Sequence, residues 1–248
     1  MNIEVKTYKP GKEEVPTALW NRVKDLDDFW LKYRVSGKQE EYCDDTYTYA
    51  LADGDAVCRL WDGYGKHENP IGNWGAFFTE ESHRRLGIGK KVLEGWRNEF
   101  KTREKKPMAF FCSAPLHLVG VYGECGFRPA FKGATHGAMY CPVGDAPETF
   151  QEFCQQYYTK TQKLIARPAT LQYRNEIDCL FRFAMTEKGL SCDIGEIAFL
   201  DQVLANPSLG TAEIIFTAEN RVVGWTFTPT EGKKQTLIHP LYEGMEIE

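Results

Sequence analysis

Long apolar runs are missing from this chain of 248 residues, and none reaches the length of a membrane span. The amino-terminal Met1-Asn2-Ile3-Glu4-Val5-Lys6 has no signal-like hydrophobic region, so the cytoplasm is the expected compartment and no membrane partner is expected. None of the eight cysteines forms a Cys-x-x-Cys pair, which leaves reduced thiols as the expectation. The five histidines are scattered, and no His/Cys spacing resembles a metal site, so no metal is expected. Positive charge is also short: the formal balance is −5, which argues against broad nucleic-acid binding. What is plentiful is core material, 42% hydrophobic and 13% aromatic residues, enough for one large domain or two small ones.

Against that acidic background, one basic knot stands out: His83-Arg84-Arg85-Leu86-Gly87-Ile88-Gly89-Lys90. The strand-like run 71–78 precedes it, and Val92, Leu93, Trp96 and Phe100 follow at helical spacing. Strand, glycine turn and helix start form an anion site, because the first amides of a helix lack intrahelical acceptors and the dipole makes that end positive. Gly87 and Gly89 let the backbone turn tightly and come close to a ligand. No acid interrupts residues 84–91, so a local anionic ligand is indicated. A P-loop needs Gly where Arg84 stands and Ser or Thr where Lys91 stands, and a Rossmann fingerprint needs Gly where Val92 stands. Taken alone, the segment is also compatible with an ordinary strand-to-helix turn.

What remains, Arg84-x-x-Gly87-x-Gly89, resembles the pyrophosphate loop of the GNAT acetyltransferase family, Gln/Arg-x-x-Gly-x-Gly/Ala. A second segment lies about as far behind the loop as in that family. After a short apolar run at 108–112, Leu118, Val121, Tyr122 and Cys125 fall at helical spacing, closed by Gly126-Phe127. Tyr122-x-x-x-Gly126-Phe127 resembles the family's Tyr-x-x-x-Gly-Phe. The resemblance spans roughly residues 2–141 and is silent on the rest.

Order along the chain agrees with it. A first strand holds Ile3, Val5 and Tyr8. Helices follow around Leu19 and Val23 and around Phe29, Trp30 and Tyr33, then a polar loop at 37–45. Strands are expected at 47–51 and 56–61, joined at Asp53-Gly54, with Asp62-Gly63 opening the next loop. Two last strands fall at 129–131 and 138–141, and 142–147 reads as a linker. The expected fold class is α/β (α+β), a mixed and mostly antiparallel sheet flanked by helices. The expected domains are 1–145, which the resemblance implies binds acetyl-CoA, and 146–248, a smaller α+β domain. In the latter, a helix is expected from Phe150 to Tyr158, and the ambiguous stretch 171–185 is taken as helix. Asp193 and Glu196 look like a capping pair before Ile197, Leu200 and Leu204. Strand-like runs at 212–217, 222–228 and 235–239 complete a plan that repeats the first half of the first domain. A partial repeat and an unrelated appendage are equally good accounts of it.

The resemblance implies acetyl-CoA as cosubstrate. Its pyrophosphate would lie on the Arg84–Lys90 loop, Leu86 and Ile88 included, and its pantetheine along Phe77, Phe78 and Thr79 with Ser113 on the next strand. Tyr122 would be the acid that protonates the departing thiolate, and a main-chain N–H near Phe78 would meet the carbonyl oxygen. The strand 72–78 has no acid, unlike many relatives, and no base is assigned. Asp62, Glu68, Glu80, Glu81 and His117 are nearby in sequence. Lys101, Arg103, Lys105 and Lys106 are candidates for an outer phosphate or a solvated face. Trp20, Trp30 and Tyr33 are candidates for an aromatic acceptor wall, and Glu40, Glu41, Asp44 and Asp45 for an acidic rim or a plain solvated loop. The implied activity is N-acetyl transfer to a primary amine of a small molecule or peptide. A CoA-binding sensor without transfer is the alternative, and a homodimer stays open.

Overall fold

The computed structural model describes residues 1–135, 137–187, 203–204 and 206–248, without the side chains of 181–187 and 207. The chain divides into two units, Met1–Gly144 and Asp145–Glu248. In the first, β1 (Ile3–Tyr8), α1 (Thr17–Asn21), α2 (Phe29–Val35), β2 (Cys43–Ala52), β3 (Asp55–Gly65) and β4 (Gly72–Thr79) come in order. Next come α3 (Ile88–Thr102), β5 (Ala109–Ala114), α4 (Val119–Gly123), β6 (Arg128–Pro129) and β7 (Gly137–Pro142). Seven strands form one sheet in the order β1-β2-β3-β4-β5-β7-β6. Only β4 and β5 run parallel, which their crossover through α3 permits. The mixed, mostly antiparallel sheet with flanking helices is the expected fold class.

Each face of this sheet has its own core. Leu60, Trp74 and Phe110 lie on one face, under the α3 stripe of Ile88, Val92, Leu93 and Trp96. On the other face Tyr8, Tyr47, Tyr49 and Trp61 meet Leu19, Val23, Leu31 and Val35 from the α1–α2 segment. Strand alternation thus feeds two apolar layers, and β2 and β3 read as nearly continuous buried runs because both of their faces are covered.

That double cover explains two corrections. The polar stretch 37–45 is not all loop, since β2 begins at Cys43, and Asp62-Gly63 lies inside β3. Asp45 is buried, accepting from Gln39 Nε2 at 2.6 Å and Trp61 Nε1 at 2.9 Å. Asp62 is fully buried and accepts from Trp96 Nε1 at 3.0 Å and Arg103 at 2.9 Å. Partners outside their own strand neighbours, most of them distant in sequence, make both carboxylates tolerable inside a strand.

The second unit holds α5 (Phe150–Tyr157), β8 (Leu164–Pro168), α6 (Arg174–Glu187), β9 (Gly210–Thr217), β10 (Val222–Pro229) and β11 (Gln235–Ile238). The ambiguous 171–185 stretch forms a 3-10 turn and then α6. Its sheet is antiparallel in the order β11-β10-β9-β8, over a core that includes Ile214, Phe216, Val222 and Phe227. The strand β8 has too short an apolar run to show as a strand in the sequence. It ends on Pro168, which an edge strand accommodates. Asp193, Glu196, Ile197 and Leu200 lie outside the described residues.

Candidate active site

The parallel ladder between β4 and β5 consists of two rungs, Gly72 to Phe110 and Asn73 to Phe111. Beyond them the two strands part, although β4 runs on to Thr79 and β5 to Ala114. A bulge against β3 contributes: Arg59 pairs with Phe78 and Trp61 with Gly75, so two residues of β4 oppose one of β3. One of the two, Ala76, has φ of 50°. A bulge bends its strand and raises the local twist, which carries the end of β4 away from β5.

The basic loop lies at that end. A 3-10 turn, Glu81–His83, leaves β4, and the chain passes through Arg85 at φ 62° and Gly87 at φ 75° before α3 starts at Ile88. Gly87 takes the N-cap position in the left-handed region, and no side chain caps the helix. The first helical bond is Lys91 N–H to Gly87 C=O. The N–H groups of Arg85 to Lys90 therefore have no protein acceptor among the described residues. A Cβ at Gly89 would stand 3.1 Å from the Phe77 ring and 3.7 Å from Thr79 Oγ1, so this residue sits directly on the end of β4. Arg84, Arg85 and Lys90 are exposed. Arg84 Nε donates back to Thr79 C=O at 3.1 Å, which braces the loop.

Tyr122 approaches from α4. Its ring is 4.7 Å from Trp74 and 6.4 Å from Phe77 between centroids. Burial, with smaller contributions from Cys112 and Cys125, pushes its phenol up to about 12. It is therefore a neutral proton carrier at physiological pH. Its hydroxyl makes no hydrogen bond to a described residue. Phe77 thus links the loop, through Gly89, to Tyr122. Ser113 is exposed on β5, level in register with Gly75 across the gap.

Phe78 belongs to the opposite face, with the Arg59 guanidinium 4.8 Å from its ring. Leu86 is 54% exposed and adds only its backbone to the loop, whereas Ile88 is buried beneath it. The candidates around the site sort differently from their sequence positions. Lys101, Arg103, Lys105 and Lys106 lie at or beyond the last turn of α3, about 20 Å from its start at 1.5 Å per residue. Arg103 is paired with Asp62 and Glu99. Asp62, so engaged, is no base. Glu80 lies 3.7 Å from Arg22, and Glu81 and His117 are exposed. Glu68 lines a cavity of about 660 Å³ at the loop joining β3 to β4, the far end of the strand. The supposed acidic rim is dispersed: Lys66 takes Glu40, Lys12 takes Asp44, and Asp45 is interior. Trp30 and Tyr33 cluster with exposed Phe29 on α2, while Trp20 packs on the inner layer.

Sequence reasoning passed over Arg59 and Trp74. Trp74 Nε1 is buried without an acceptor and the indole forms the floor under Tyr122. Its only signal was its position on the strand before the loop.

Among the described residues no helix is long and apolar enough to cross a membrane, and no group of three or more His, Cys, Asp or Glu residues is placed to hold a metal. The seven described cysteines form no disulfide with one another, and Cys192 lies outside the described residues.

No protein-family profile matches this chain, and no curated protein does. Solved structures resemble it at low identity. An acyl-CoA N-acyltransferase from Pseudomonas aeruginosa is 17% identical, over 56% of this chain and 99% of its own, with a TM-score of 0.42. PaiA N-acetyltransferase from Thermoplasma acidophilum, in complex with coenzyme A, is 14% identical over 58% and 100%, with a TM-score of 0.37. A probable N-acyltransferase from Enterococcus faecalis is 12% identical, over 95% of this chain and 59% of its own, with a TM-score of 0.42. At such identities and TM-scores the likeness assigns no activity to this chain.

Proposed function

We propose that the first unit is a GNAT-type N-acetyltransferase that moves an acetyl group from acetyl-CoA to a primary amine of a small molecule or peptide. The observation that carries this reading is the row of unspent N–H groups from Arg85 to Lys90, set beside the break between β4 and β5. Such a row, at a helix N-terminus ringed by Arg84, Arg85 and Lys90, suits a diphosphate. The unpaired edge of β4 beyond Asn73 suits the amides of a pantetheine arm, which would add to it as a strand does.

In this reading the amine nitrogen bonds to the thioester carbon, the C–S bond breaks, and the amine's surplus proton leaves to water. A neighbour of Phe78 on the free edge of β4 supplies a main-chain N–H to the carbonyl oxygen. Tyr122 gives its proton to the departing sulfur and regains one from solvent. Trp74, Phe77 and Phe127 keep the phenol in a low-polarity setting, which holds the proton on it until a thiolate appears. The second unit we take as a partial repeat. Its strands follow one another in the sheet, all antiparallel, as β1 to β4 do.

The test is CoA titration by calorimetry together with thiol release from acetyl-CoA over a panel of amines. Binding and amine-dependent release are expected. Gly89→Trp fills the space before the loop amides and should lower CoA affinity at least a hundredfold in a folded protein. Unchanged affinity would refute the loop assignment, and binding without release from any amine would favour the sensor.

A further inference from the structure

The face of the sheet away from α3 carries an arginine with nothing to hold. Arg59 on β3 is the cross-strand partner of Phe78 on β4, and its guanidinium stands 4.8 Å from that ring. It makes no hydrogen bond and no ion pair with a described residue, and its Nε is out of reach of solvent. A second polar group without a partner lies in the layer below. Tyr47 on β2 is fully buried, its hydroxyl has no partner, and it lies within the electrostatic reach of Arg59. A withdrawn cation without a counter-charge is costly, and elsewhere in this unit the cost is met. Arg103 has two carboxylates, and Arg22 has the Ala56 carbonyl and Glu80.

The charged groups facing Arg59 are already engaged. Asp28 caps α2 by accepting from Leu31 N–H, and Glu80 faces Arg22; Asp45, which faces Tyr47, accepts from Gln39 and Trp61. Arg34, over Trp61, adds a second positive charge near Tyr47. Arg59 is thus left with no bonded carboxylate among the described residues, and a guanidinium takes a carboxylate through two parallel N–H bonds. The place suits an acceptor. Along β4, Phe78 follows Gly75 and Ala76, where the sheet surface is open: a Cβ on Gly75 would meet nothing within 4 Å, and Ala76 is exposed. The dent between Arg22, Arg59, Phe78 and Glu80 holds about 10 Å³, room for one oxygen-sized group, and the Phe78 ring at its rim is 36% exposed.

We propose that the acceptor is an amine that also carries a carboxylate, an amino acid in the simplest case, and that Arg59 binds this carboxylate. This rests on the transferase reading, and it selects the substrate class for that site.

The experiment pairs each amino acid with its carboxamide as acceptor, using the full chain and acetyl-CoA. The acid should exceed its amide at least tenfold in kcat/KM. Arg59→Met, which keeps the length of the stem, should erase that preference by raising KM for the acid, with CoA affinity and the amide's KM unchanged; Arg59→Lys should restore part of it. Equal use of acid and amide, or an equal loss of both in Arg59→Met, overturns the proposal. A second arm needs no turnover. Without acceptor, Arg59→Met should melt higher than the parent protein, because it removes an unmatched cation, and amino acids in the presence of CoA should raise the melting temperature of the parent only. A lower melting point for Arg59→Met means that Arg59 is already matched and refutes the site. If amino acids stabilise only the parent while no amine is acetylated, the carboxylate site stands and the transfer reading falls.

Discussion

Tyr122 shows how much one side chain's role depends on its surroundings. On the surface a phenol would titrate near pH 10; among Trp74, Phe77 and Phe127 it is held at about 12. As the proposed acid it would stay protonated through any usable assay range. Tyr122→Phe removes one oxygen and leaves the ring contacts, so kcat should fall about a hundredfold, in the range of general acid catalysis, with CoA affinity within twofold. Steady-state kinetics beside calorimetry checks this, and unchanged kcat would take Tyr122 out of the mechanism. His239, in the second unit, makes the opposite case. It is stacked 4.2 Å from Tyr158, and burial lowers it to about 4. A depressed value means that the unfolded chain binds the proton first. The stability it contributes is full above about pH 6.5 and fades as pH falls toward 4. Urea unfolding at pH 7 and pH 5 should show that loss, and His239→Asn, which can still accept the Leu241 N–H, should flatten it.

At the scale of elements, the site depends on α3 being held at both ends. Its start is left bare for a ligand, and its far end is anchored by Arg103 to Asp62 of β3 and by Glu99 to Arg103 and to Lys9, which follows β1. Arg97 adds a bond to the Glu124 carbonyl just past α4. Arg103→Met would leave Asp62 buried with Trp96 as its remaining partner, at a cost of about 3 kcal/mol. Chemical denaturation should register it, and Asp62→Leu combined with Arg103→Met should recover most of the loss. CoA affinity of the folded variant should not change, because the anchor is some 20 Å from the loop along a helix rising 1.5 Å per residue. Failure of the double variant to recover would mean that the network fixes the angle of α3 as well as its stability.

Over the whole molecule, two units with separate cores share one chain. Local signals carried most of their elements. The glycine loop, the helical stripe of α3, the Tyr122 helix and the meander from β9 to β11 were legible because each depends on near neighbours in sequence. Three features were not. The strand β8 is too short for its own periodicity to show. Asp45 and Asp62 look like loop residues until Gln39, Trp61, Trp96 and Arg103 are brought to them. Lys101 to Lys106 look like phosphate binders until α3 is seen to carry them away from the loop.

The amino-acid order alone determined that a strand leads through two glycines into a basic helix start, since steric freedom at Gly87 and charge at Arg84 to Lys91 are properties of the residues themselves. Whether those amides would be left unspent, whether β4 and β5 would part after two rungs, and whether Arg59 would lose water without gaining a carboxylate were decided only in the tertiary structure. Each depends on which distant groups arrive to share a hydrogen bond, and contacts of that kind follow from how the layers pack.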